Sequence, residues 1–378
     1  AFLALPFSPC LFCTDPDARV EFLSRLLHVA TIATGLFMVG GTALSLSRRP
    51  HWFIRGWDFP RPLIAGISAV SGLAYVLVWY DGHLWQVGLM AMIAVTILWQ
   101  LYRIAPYLPF ARRAVDWARH PRRETSVRIV ASNVMQENDQ HQAWLDIVRA
   151  ADPDVILALE TDARWTDALS EMRDAYPHVV SHPQDNYYGL TVFSRLPLVE
   201  PEVRSLVEED VPSVRTGVEL RNGTVIHLYG VHPRPPEPIR DNHAEERDAE
   251  VVLLGREIQD RSEDAPVIVA GDFNDVAWSH TTDLFVQLSG LLDPRQGRGI
   301  FNTFHAKWPV FRFPLDHVFH SNHFKLVDIG LLDNAGSDHF PVCVELQYDW
   351  SAPEEQPEPE PSAEDVQEAE EKVQRAEE

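Results

Sequence analysis

Cysteine is scarce in this chain, with three cysteines among 378 residues. Cys10 and Cys13 form one CLFC stretch, and Cys343 lies in a strand-like run. Three thiols are too few for the disulfide framework that stabilises small secreted proteins. A single C-x2-C pair, with no second pair and no histidine nearby, does not complete a zinc site, so incidental thiols are the better interpretation.

Positive charge is scarce beyond residue 123. The net charge is +6 for residues 1–123, −19 for residues 124–348 and −10 for residues 349–378. A protein that binds duplex nucleic acid usually presents a basic surface, because Lys and Arg contacts to phosphate supply most of the non-specific affinity. The acidic middle segment therefore disfavours broad duplex binding, and the chain divides into three segments of different chemistry.

Long apolar runs are present only in the first segment, at about residues 26–46, 62–80 and 84–101. Each run approaches the ~20 residues that a helix needs to cross a bilayer. Aromatic residues such as Trp79 lie near the predicted ends, as they do at membrane interfaces. Three helices buried on all sides within a small soluble domain are the disfavoured alternative. Residues 1–104 are therefore predicted to be a membrane anchor with three transmembrane helices.

The arginines predict the orientation of this anchor. Four arginines lie between the first two runs and six follow the third run, whereas the turn at residues 81–83 has none. Positive residues favour the cytoplasmic side, so everything after the third run is predicted to be cytoplasmic and the N-terminus to lie outside. One false span would move the C-terminal part to the other face. The first residue is Ala1 and not Met, which is compatible with a missing upstream piece.

Two segments flank the middle of the chain. Residues 105–124 are rich in Arg and Pro and are predicted to be a basic juxtamembrane connector. Residues 349–378 are rich in Pro and Glu with few apolar side chains, which predicts a disordered acidic tail. The last part of this tail, from Ala363, has the composition of a short solvated helix.

Residues 125–348 alternate strand-like and helix-like segments. The strand-like segments are 127–134, 154–160, 188–194, 214–220, 224–232, 266–273, 315–319 and 340–346. The helix-like segments are 139–150, 163–175, 241–261 and 279–289. Because strands outnumber helices and short turns such as Asn222-Gly223 join neighbouring strands, the pattern favours an α/β (α+β) sandwich of two mixed β-sheets flanked by helices. A simple doubly wound sheet is the disfavoured alternative.

Polar residues lie at the ends of strand after strand. These residues are Asn133, Glu160, His232, Asp272, Asn274, Asp316, Asp338 and His339. Each one alone has an ordinary explanation as a turn residue or a helix cap. Because the layers of a sandwich bring such strand ends to one rim, the eight side chains together predict a site.

The same residues carry a resemblance to a known family. In chain order the sequence has Asn133, Glu160, His232, GDFN (271–274), LDH (315–317) and SDH (337–339). This set resembles the endonuclease/exonuclease/phosphatase superfamily over about residues 125–348. The stretches GDFND, GLLDPR, PLDHVF, SDHFPV and HWFIRGWDFPRP are similar to the membrane-anchored bacterial YafD-like branch. The resemblance implies a deoxyribonuclease-I-like four-layer sandwich and a multi-pass protein of the bacterial inner membrane.

The donor types and the resemblance together predict a metal site. Glu160, with Asn133 and Asp338 completing or orienting the shell, is an all-oxygen set that suits Mg²⁺ or Mn²⁺ better than zinc. The resemblance implies that Glu160 is the principal metal ligand. It also implies that Asp272 orients or deprotonates the attacking water, and that Asn274 holds this water or a phosphoryl oxygen.

Imidazoles complete the predicted machinery. Asp316 is expected to fix one ring nitrogen of His339 and leave the other for phosphate or water, either as a base or as a cationic clamp. His232 is expected to donate to a nonbridging phosphate oxygen. Packing or surface roles are expected for four nearby histidines, His305, His317, His320 and His323, since His317 alternates with Asp316 along a strand.

The predicted function is that of a membrane-anchored, Mg²⁺-dependent phosphoester hydrolase, either a phosphodiesterase or a phosphatase, in which a metal assists the attack of water on phosphorus. The alternatives are an endonuclease or exonuclease on nucleic acid and a non-catalytic membrane-bound platform. A Lys/Arg-lined groove across the rim would favour nucleic acid, and a narrow pocket facing the bilayer would favour a lipid or small ester. The charge and the anchor favour the latter substrate. The sequence decides neither the physiological substrate nor the oligomeric state.

Overall fold

The computed structural model of the protein describes residues 16–47, 49–235, 244–262 and 265–377. The motif of Cys10 and Cys13 lies outside these residues. The chain forms two compact units. The helical unit consists of Ala1–Arg48 and Pro60–Ile104, and the sandwich unit consists of Arg49–Phe59 and Ala105–Glu378.

The helical unit contains the three long helices that the sequence predicts. They are α1 (Pro16–Ser45), α3 (Arg61–Val78) and α4 (Leu84–Ile104), and all three are long and apolar enough to cross a membrane. Apolar side chains such as Leu77 and Leu98 are exposed on the outside, where lipid would solvate them. One group of polar side chains inside is paired, since buried Gln100 accepts a 2.9 Å bond from Arg61 and donates a 2.8 Å bond to Thr42.

The sequence assigned the stretch between the first two spans to the anchor, and this boundary is wrong. Residues 49–59, which include the short helix α2 (Trp52–Arg55), belong to the sandwich unit. Arg55 and Asp58 are buried there. Arg55 pairs with Asp248 at 3.8 Å, and the carbonyl of Asp58 accepts a 2.8 Å bond from the Trp278 indole. These partners lie about 200 residues away in the chain, so composition cannot reveal them.

Within the described residues, the sandwich unit has two β-sheets, with four helices between the strands along the chain. The strands are β1 (Ser126–Asn133), β2 (Val155–Leu159), β3 (His178–His182), β4 (Leu190–Ser194), β5 (Leu198–Ser205), β6 (Pro212–Glu219), β7 (Val225–Val231), β8 (Val267–Asp272), β9 (Asp316–His320), β10 (Phe324–Leu331) and β11 (Val342–Tyr348). The helices are α5 (His141–Ala151), α6 (Ala163–Leu169), α7 (Glu245–Gln259) and α8 (His280–Ser289), with short 3-10 turns at Ala105–Tyr107, Ser170–Met172 and Ala352–Glu354.

Both sheets are mixed. The six-stranded sheet has the order β10-β11-β1-β2-β4-β3, and the five-stranded sheet has the order β5-β6-β7-β8-β9. One parallel pair lies inside each sheet, β1 with β2 and β7 with β8, and the other pairs are antiparallel. The four-layer sandwich that the sequence predicts is therefore confirmed.

Side-chain alternation along the central strands builds the layers. In β2, Val155, Leu157 and Leu159 enter the core between the sheets, whereas Ile156 and Ala158 face the core under α5 and α6. In β8, Ile268 and Ala270 face the inter-sheet core, and the alternate valines pack under α7 and α8. Strands that are buried on both faces read as continuous apolar runs, and for this reason the sequence located them.

The flanking segments differ from their predictions. The supposed connector packs on the sandwich, since Tyr107 and Val115 are buried and the Tyr107 hydroxyl donates a 2.6 Å bond to the carbonyl of Ala277. The supposed disordered tail contains a helix, α9 (Ala363–Glu377), that packs on α7 and α8 through buried Ala369. Lys372 of α9 reaches Asp248 at 2.5 Å. A few spaced contacts therefore order a segment whose average composition predicts disorder.

Candidate active site

The topology gathers the predicted residues at one edge of the sandwich. Asn133 ends β1, and Glu160 directly follows the parallel neighbour β2. Asp272 ends β8, and His232 directly follows the parallel neighbour β7. Asp316 begins β9, which runs antiparallel to β8, so Asp316 stands opposite Asp272 in the register. The segment with Asp338 and His339 precedes β11, which runs antiparallel to β1.

The backbone at this edge adopts conformations that side chains other than Gly rarely occupy. Glu160 and Asn274 have φ values of 61° and 49°. Gly271 has a φ of 148°, and a Cβ at this position would lie 1.9 Å from the carbonyl oxygen of Val231. The GDFN turn therefore needs glycine, because the neighbouring parallel strand passes too close for a side chain.

Asn133 joins two carboxylates. Its Nδ2 donates a 2.8 Å bond to Glu160 Oε1 and a 3.1 Å bond to Asp272 Oδ2. Its Oδ1 accepts a 3.0 Å bond from the backbone of Met135, which fixes the amide. The second oxygen of Glu160 accepts a 3.1 Å bond from the backbone of Gln136. One amide thus holds the ends of both sheets together.

Asp316 and His339 form the predicted dyad. Asp316 Oδ2 lies 2.7 Å from His339 Nδ1, and His339 Nε2 lies 3.5 Å from Asp272 Oδ2. Thr303 Oγ1 accepts a 3.1 Å bond from the backbone N–H of Asp316, which fixes the start of β9. The imidazole therefore lies between two carboxylates on opposite strands.

His232 lies on the other side of Asp272. Its Nε2 is 3.8 Å from Asp272 Oδ2, and its ring packs against Tyr188 at 5.4 Å between centroids. His232 Nδ1 is buried and has no hydrogen-bond partner among the described residues. An unpaired buried nitrogen is costly, which leaves this ring able to take a ligand.

Asn274 is committed to the turn in this structure. Its backbone N–H donates a 2.9 Å bond to Asp272 Oδ1, and its side-chain Nδ2 donates a 2.9 Å bond to the carbonyl of Pro233. Arg247, which is fully buried, donates a 3.0 Å bond to the carbonyl of Asn274. These contacts aim the Asp272 carboxylate into the site.

The predicted metal ligands are only partly assembled. Asn133 and Glu160 touch, but within the described ranges the Asp338 side chain forms no hydrogen bond or ion pair with them. The carbonyl of Asp338 instead accepts a 2.7 Å bond from Ala306. A different trio of candidate ligands, Asp272, Asp316 and His339, has ligand atoms within 4.8 Å of one another.

The electrostatics of the site fit a cation. Burial raises the pKa of Glu160, and the charge of His232 only partly opposes this effect. Burial also raises the pKa of Asp272, with His339 opposing the rise and Asp316 adding to it. Asp316 Oδ1 is buried without a partner among the described residues. The positive charge near these buried carboxylates is too small to offset their burial, and a divalent ion would supply more.

His339 has the opposite perturbation. Burial by itself lowers the pKa of an imidazole, but the carboxylates of Asp316 and Asp272 outweigh it and raise the pKa of His339 to about 10. The ring is therefore an imidazolium at neutral pH in this arrangement. An imidazolium donates hydrogen bonds from both nitrogens, as a clamp on an anionic group requires.

The four remaining histidines lie apart from this network, as their spacing predicts. Buried His317 contacts Arg295 at 2.6 Å and the carbonyl of Asp275 at 2.9 Å. His320 and His323 bond to Ser321, and His305 accepts a bond from the backbone of Lys307. Thr303, Gln136 and Tyr188, which position the site residues, carry no motif in the sequence and were missed.

The comparisons with known proteins agree with the geometry. The family model of the endonuclease/exonuclease/phosphatase family matches residues 130–339. The uncharacterized protein YbhP of Escherichia coli (strain K12) is 28% identical over 195 residues, which cover 49% of this chain and 70% of YbhP.

Solved structures with the same fold include TDP2 of D. rerio. A humanized form has 16% sequence identity and a TM-score of 0.50, covering 59% of this chain and 99% of that one. A complex with single-strand DNA product has 18% identity, a TM-score of 0.50 and the same coverages. At these identities the likeness concerns the fold alone. The family match, which spans more than half of the chain, and the site geometry together establish that the chain belongs to the endonuclease/exonuclease/phosphatase family of metal-dependent hydrolases acting on phosphoester bonds.

Proposed function

We propose that the protein is a membrane-anchored hydrolase that uses Mg²⁺ or Mn²⁺ to cleave a small or lipid-linked phosphoester. The observation that carries the proposal is the network of Asn133, Glu160, Asp272, Asp316 and His339 at one edge of the sandwich. The three apolar helices support the anchor. A network that leaves buried carboxylate charge uncompensated suits catalysis better than it suits a passive scaffold.

Glu160 would hold the cation, with Asn133 orienting it through the amide N–H and Asp338 completing or orienting the shell. The oxygen-rich donors fit Mg²⁺ or Mn²⁺, and Glu160 and Asp272 both lie where burial disfavours their negative charge. Bound there, the ion neutralises phosphate charge and lowers the pKa of water.

The chain's own groups do the remaining work. Asp272, fixed by the N–H groups of Asn133 and Asn274, accepts a hydrogen bond from the attacking water and orients it. His339, held by Asp316, donates from Nε2 to a phosphoryl oxygen, and its raised pKa supports the role of a clamp over that of a base. His232 donates to a second oxygen.

The charge distribution supports a small or lipid-borne substrate. Residues 124–348 carry a net charge of −19, which repels a polyanionic duplex. A nuclease is the second candidate, because the D. rerio TDP2 structure of similar fold is described with a single-strand DNA product.

The test is a hydrolysis screen of the full chain in detergent with Mg²⁺, Mn²⁺ or EDTA. Its substrates are bis(p-nitrophenyl) phosphate, supercoiled plasmid and phospholipids, and its variants are Glu160→Gln and the matched control Glu137→Gln, an exposed glutamate in the adjacent loop. We expect metal-dependent turnover that Glu160→Gln abolishes and Glu137→Gln retains. Equal turnover in both variants would reject the proposal. Cleavage of the plasmid alone would favour the nuclease.

The arginine distribution supports a cytoplasmic sandwich unit at the bacterial inner membrane. Reporters fused after residue 378 test this orientation. A fluorescent protein that matures only in the cytoplasm should be active, and alkaline phosphatase, which needs the periplasm, should be inactive. The reverse pattern would overturn the orientation.

A further inference from the structure

A short loop beside the site exposes large apolar side chains. This loop, residues 305–312 with the sequence HAKWPVFR, leaves Trp308, Val310 and Phe311 exposed by 62%, 63% and 56%. Soluble surfaces rarely expose such clusters unless something covers them. Lys307 and Arg312 flank the apolar tip, and this combination of an apolar centre with basic flanks matches an interface of anionic lipid headgroups.

Hydrogen bonds hold the loop in this exposed arrangement. At its base, the backbone of Phe304 bonds to Phe313 in both directions, and His305 donates a 3.1 Å bond to the carbonyl of Phe311. Phe311 donates a 3.0 Å bond to the carbonyl of Trp308, and Arg312 donates a 2.9 Å bond to that of Ala306. The apolar tip is therefore presented by a built hairpin.

The base of the loop lies on the active site. The Phe304 ring packs against His339 with 4.9 Å between centroids, and Ala306 donates its 2.7 Å bond to the carbonyl of Asp338. The Arg312 guanidinium lies 4.9 Å from the centre of the Phe340 ring. A displacement of the loop would therefore reach the segment that carries the imidazole.

The residue after the loop contacts a segment that precedes an apolar helix in the sequence. The Phe313 ring contacts the Phe59 ring at 5.7 Å, and Phe59 is two residues before α3 begins at Arg61. The chain passes between the helical and sandwich units three times. The segment that the loop contacts therefore continues along the chain into a helix that is long and apolar enough to cross a membrane.

From these observations we infer that the 305–312 loop inserts Trp308, Val310 and Phe311 into the bilayer surface, and that the substrate is a phosphoester of a membrane lipid. The inference rests on the proposed hydrolase function and names its substrate class. Insertion places the headgroup region beside His339, so that a lipid phosphate reaches the site without leaving the membrane. Aromatic and aliphatic tips with basic flanks favour this interfacial depth.

The test compares two kinds of substrate with the full chain in lipid nanodiscs. One is soluble bis(p-nitrophenyl) phosphate, and the other is a bilayer panel of phosphatidic acid, phosphatidylglycerol, phosphatidylinositol 4-phosphate and polyprenyl pyrophosphate. The variant replaces Trp308, Val310 and Phe311 by Ser. The matched control is Trp350→Ser, since Trp350 is 78% exposed and follows the far end of β11.

We expect the triple variant to lose at least about tenfold in turnover of the bilayer substrate, with turnover of the soluble ester and the control changed by less than about twofold. Turnover of the soluble ester with no bilayer substrate, or equal losses on both, overturns the lipid inference and leaves the hydrolase function intact. Absence of metal-dependent turnover of either kind in the unmodified chain rejects the hydrolase function itself.

A second measurement reads insertion without activity. A fluorophore is attached to Val310→Cys, and separately to Trp350→Cys, in a chain whose Cys10, Cys13 and Cys343 are replaced by Ala. We expect spin-labelled lipid to quench position 310 and not position 350. Equal quenching at both positions overturns the inference. Shielding of position 310 from aqueous iodide without quenching by spin-labelled lipid also overturns it, because such shielding indicates a protein partner.

Discussion

The carboxylate of Asp316 lies 2.7 Å from the imidazole of His339, and both side chains are almost fully buried. The other ring nitrogen lies 3.5 Å from Asp272, so two carboxylates from adjacent strands hold one imidazole between them. The arrangement fixes the ring and raises the pKa of His339 to about 10. The contact joins His339, in the segment before β11, to Asp316 at the start of β9.

Replacing Asp316 by Asn tests this relationship. The amide keeps the size of the side chain but removes the charge that keeps His339 protonated and oriented, so we expect kcat on a soluble phosphodiester to fall by about 10²–10³-fold. Asp328→Asn, an exposed substitution on β10, is the control and should change kcat by less than about twofold. Unchanged kcat in a folded Asp316→Asn protein would contradict the role of the dyad.

Glu160→Gln separates metal binding from folding. We expect Mg²⁺ to raise the Tm of the unmodified protein and of Glu137→Gln, because an ion that binds only the folded state stabilises it. The Tm of Glu160→Gln should not respond to Mg²⁺. In EDTA this variant should be at least as stable as the parent, since burial raises the pKa of Glu160 and the amide removes an unfavourable buried charge. Equal Mg²⁺ responses in all three proteins would exclude Glu160 as a ligand.

The central strands, the fully buried edge strand β9 and the strand-end residues were predictable from the sequence, whereas the other three edge strands were not. The three missed strands, β3, β5 and β10, lie at sheet edges. Their side chains are mostly half-buried or exposed, so they lack the apolar runs by which β2 and β8 are recognised. A strand that is buried on both faces has a continuous apolar run in the sequence. A strand that is buried on one face or on neither has a weaker pattern.

Long-range pairings were the other part that the sequence could not provide. At Gly336 a Cβ would meet the side chains of Asn138 at 2.5 Å and Gln140 at 2.7 Å. Its φ of 90° adds a second requirement for glycine. The residue therefore serves the packing of its loop against the segment after β1, a contact that depends on the folded chain and leaves no local motif.

Glu250 on α7 makes stability depend on pH. Burial, together with the nearby carboxylate of Glu208, raises the pKa of Glu250 to about 8, with Arg234 partly opposing the rise. Between pH 4.5 and 8 the unfolded chain loses this proton while the folded chain keeps it, so stability falls as pH rises through this window. The full effect of raising this pKa from its ordinary value to about 8 is on the order of 5 kcal/mol.

Glu250→Gln should remove this dependence. We expect its Tm to match the parent near pH 4.5 and to exceed it by several degrees at pH 8, measured by thermal unfolding in detergent. Glu245→Gln, on the same helix and half-buried, is the control and should follow the parent at every pH. Parallel pH profiles for Glu250→Gln and the parent would contradict the burial of a protonated carboxyl.

Lys372 ties the acidic C-terminal helix to a buried ion network. Asp248 is surrounded by Lys372, Arg247 and Arg55, and although burial opposes ionisation, these cations lower its pKa. Lys372→Glu places a second negative charge against Asp248, so we expect a loss of about 3–5 kcal/mol in stability. Arg375→Glu, on the exposed face of α9, should cost less than about 1 kcal/mol. Comparable Tm values for the two variants would show that the tail does not pack on α7 in solution.

Gly271→Ala tests whether the close approach of two strands positions the carboxylate of Asp272. The added Cβ would lie 1.9 Å from the Val231 carbonyl oxygen, and a φ of 148° is unfavourable for alanine. Because Gly271 precedes Asp272 in β8, relief of the clash must shift the carboxylate away from Asn133. We therefore expect a loss of at least ~3 kcal/mol in stability together with loss of turnover. Gly330→Ala, where a Cβ meets nothing within 4 Å, is the matched strand control and should retain both properties. If the two alanine variants behaved alike in Tm and turnover, the GDFN glycine would not be required by the neighbouring strand.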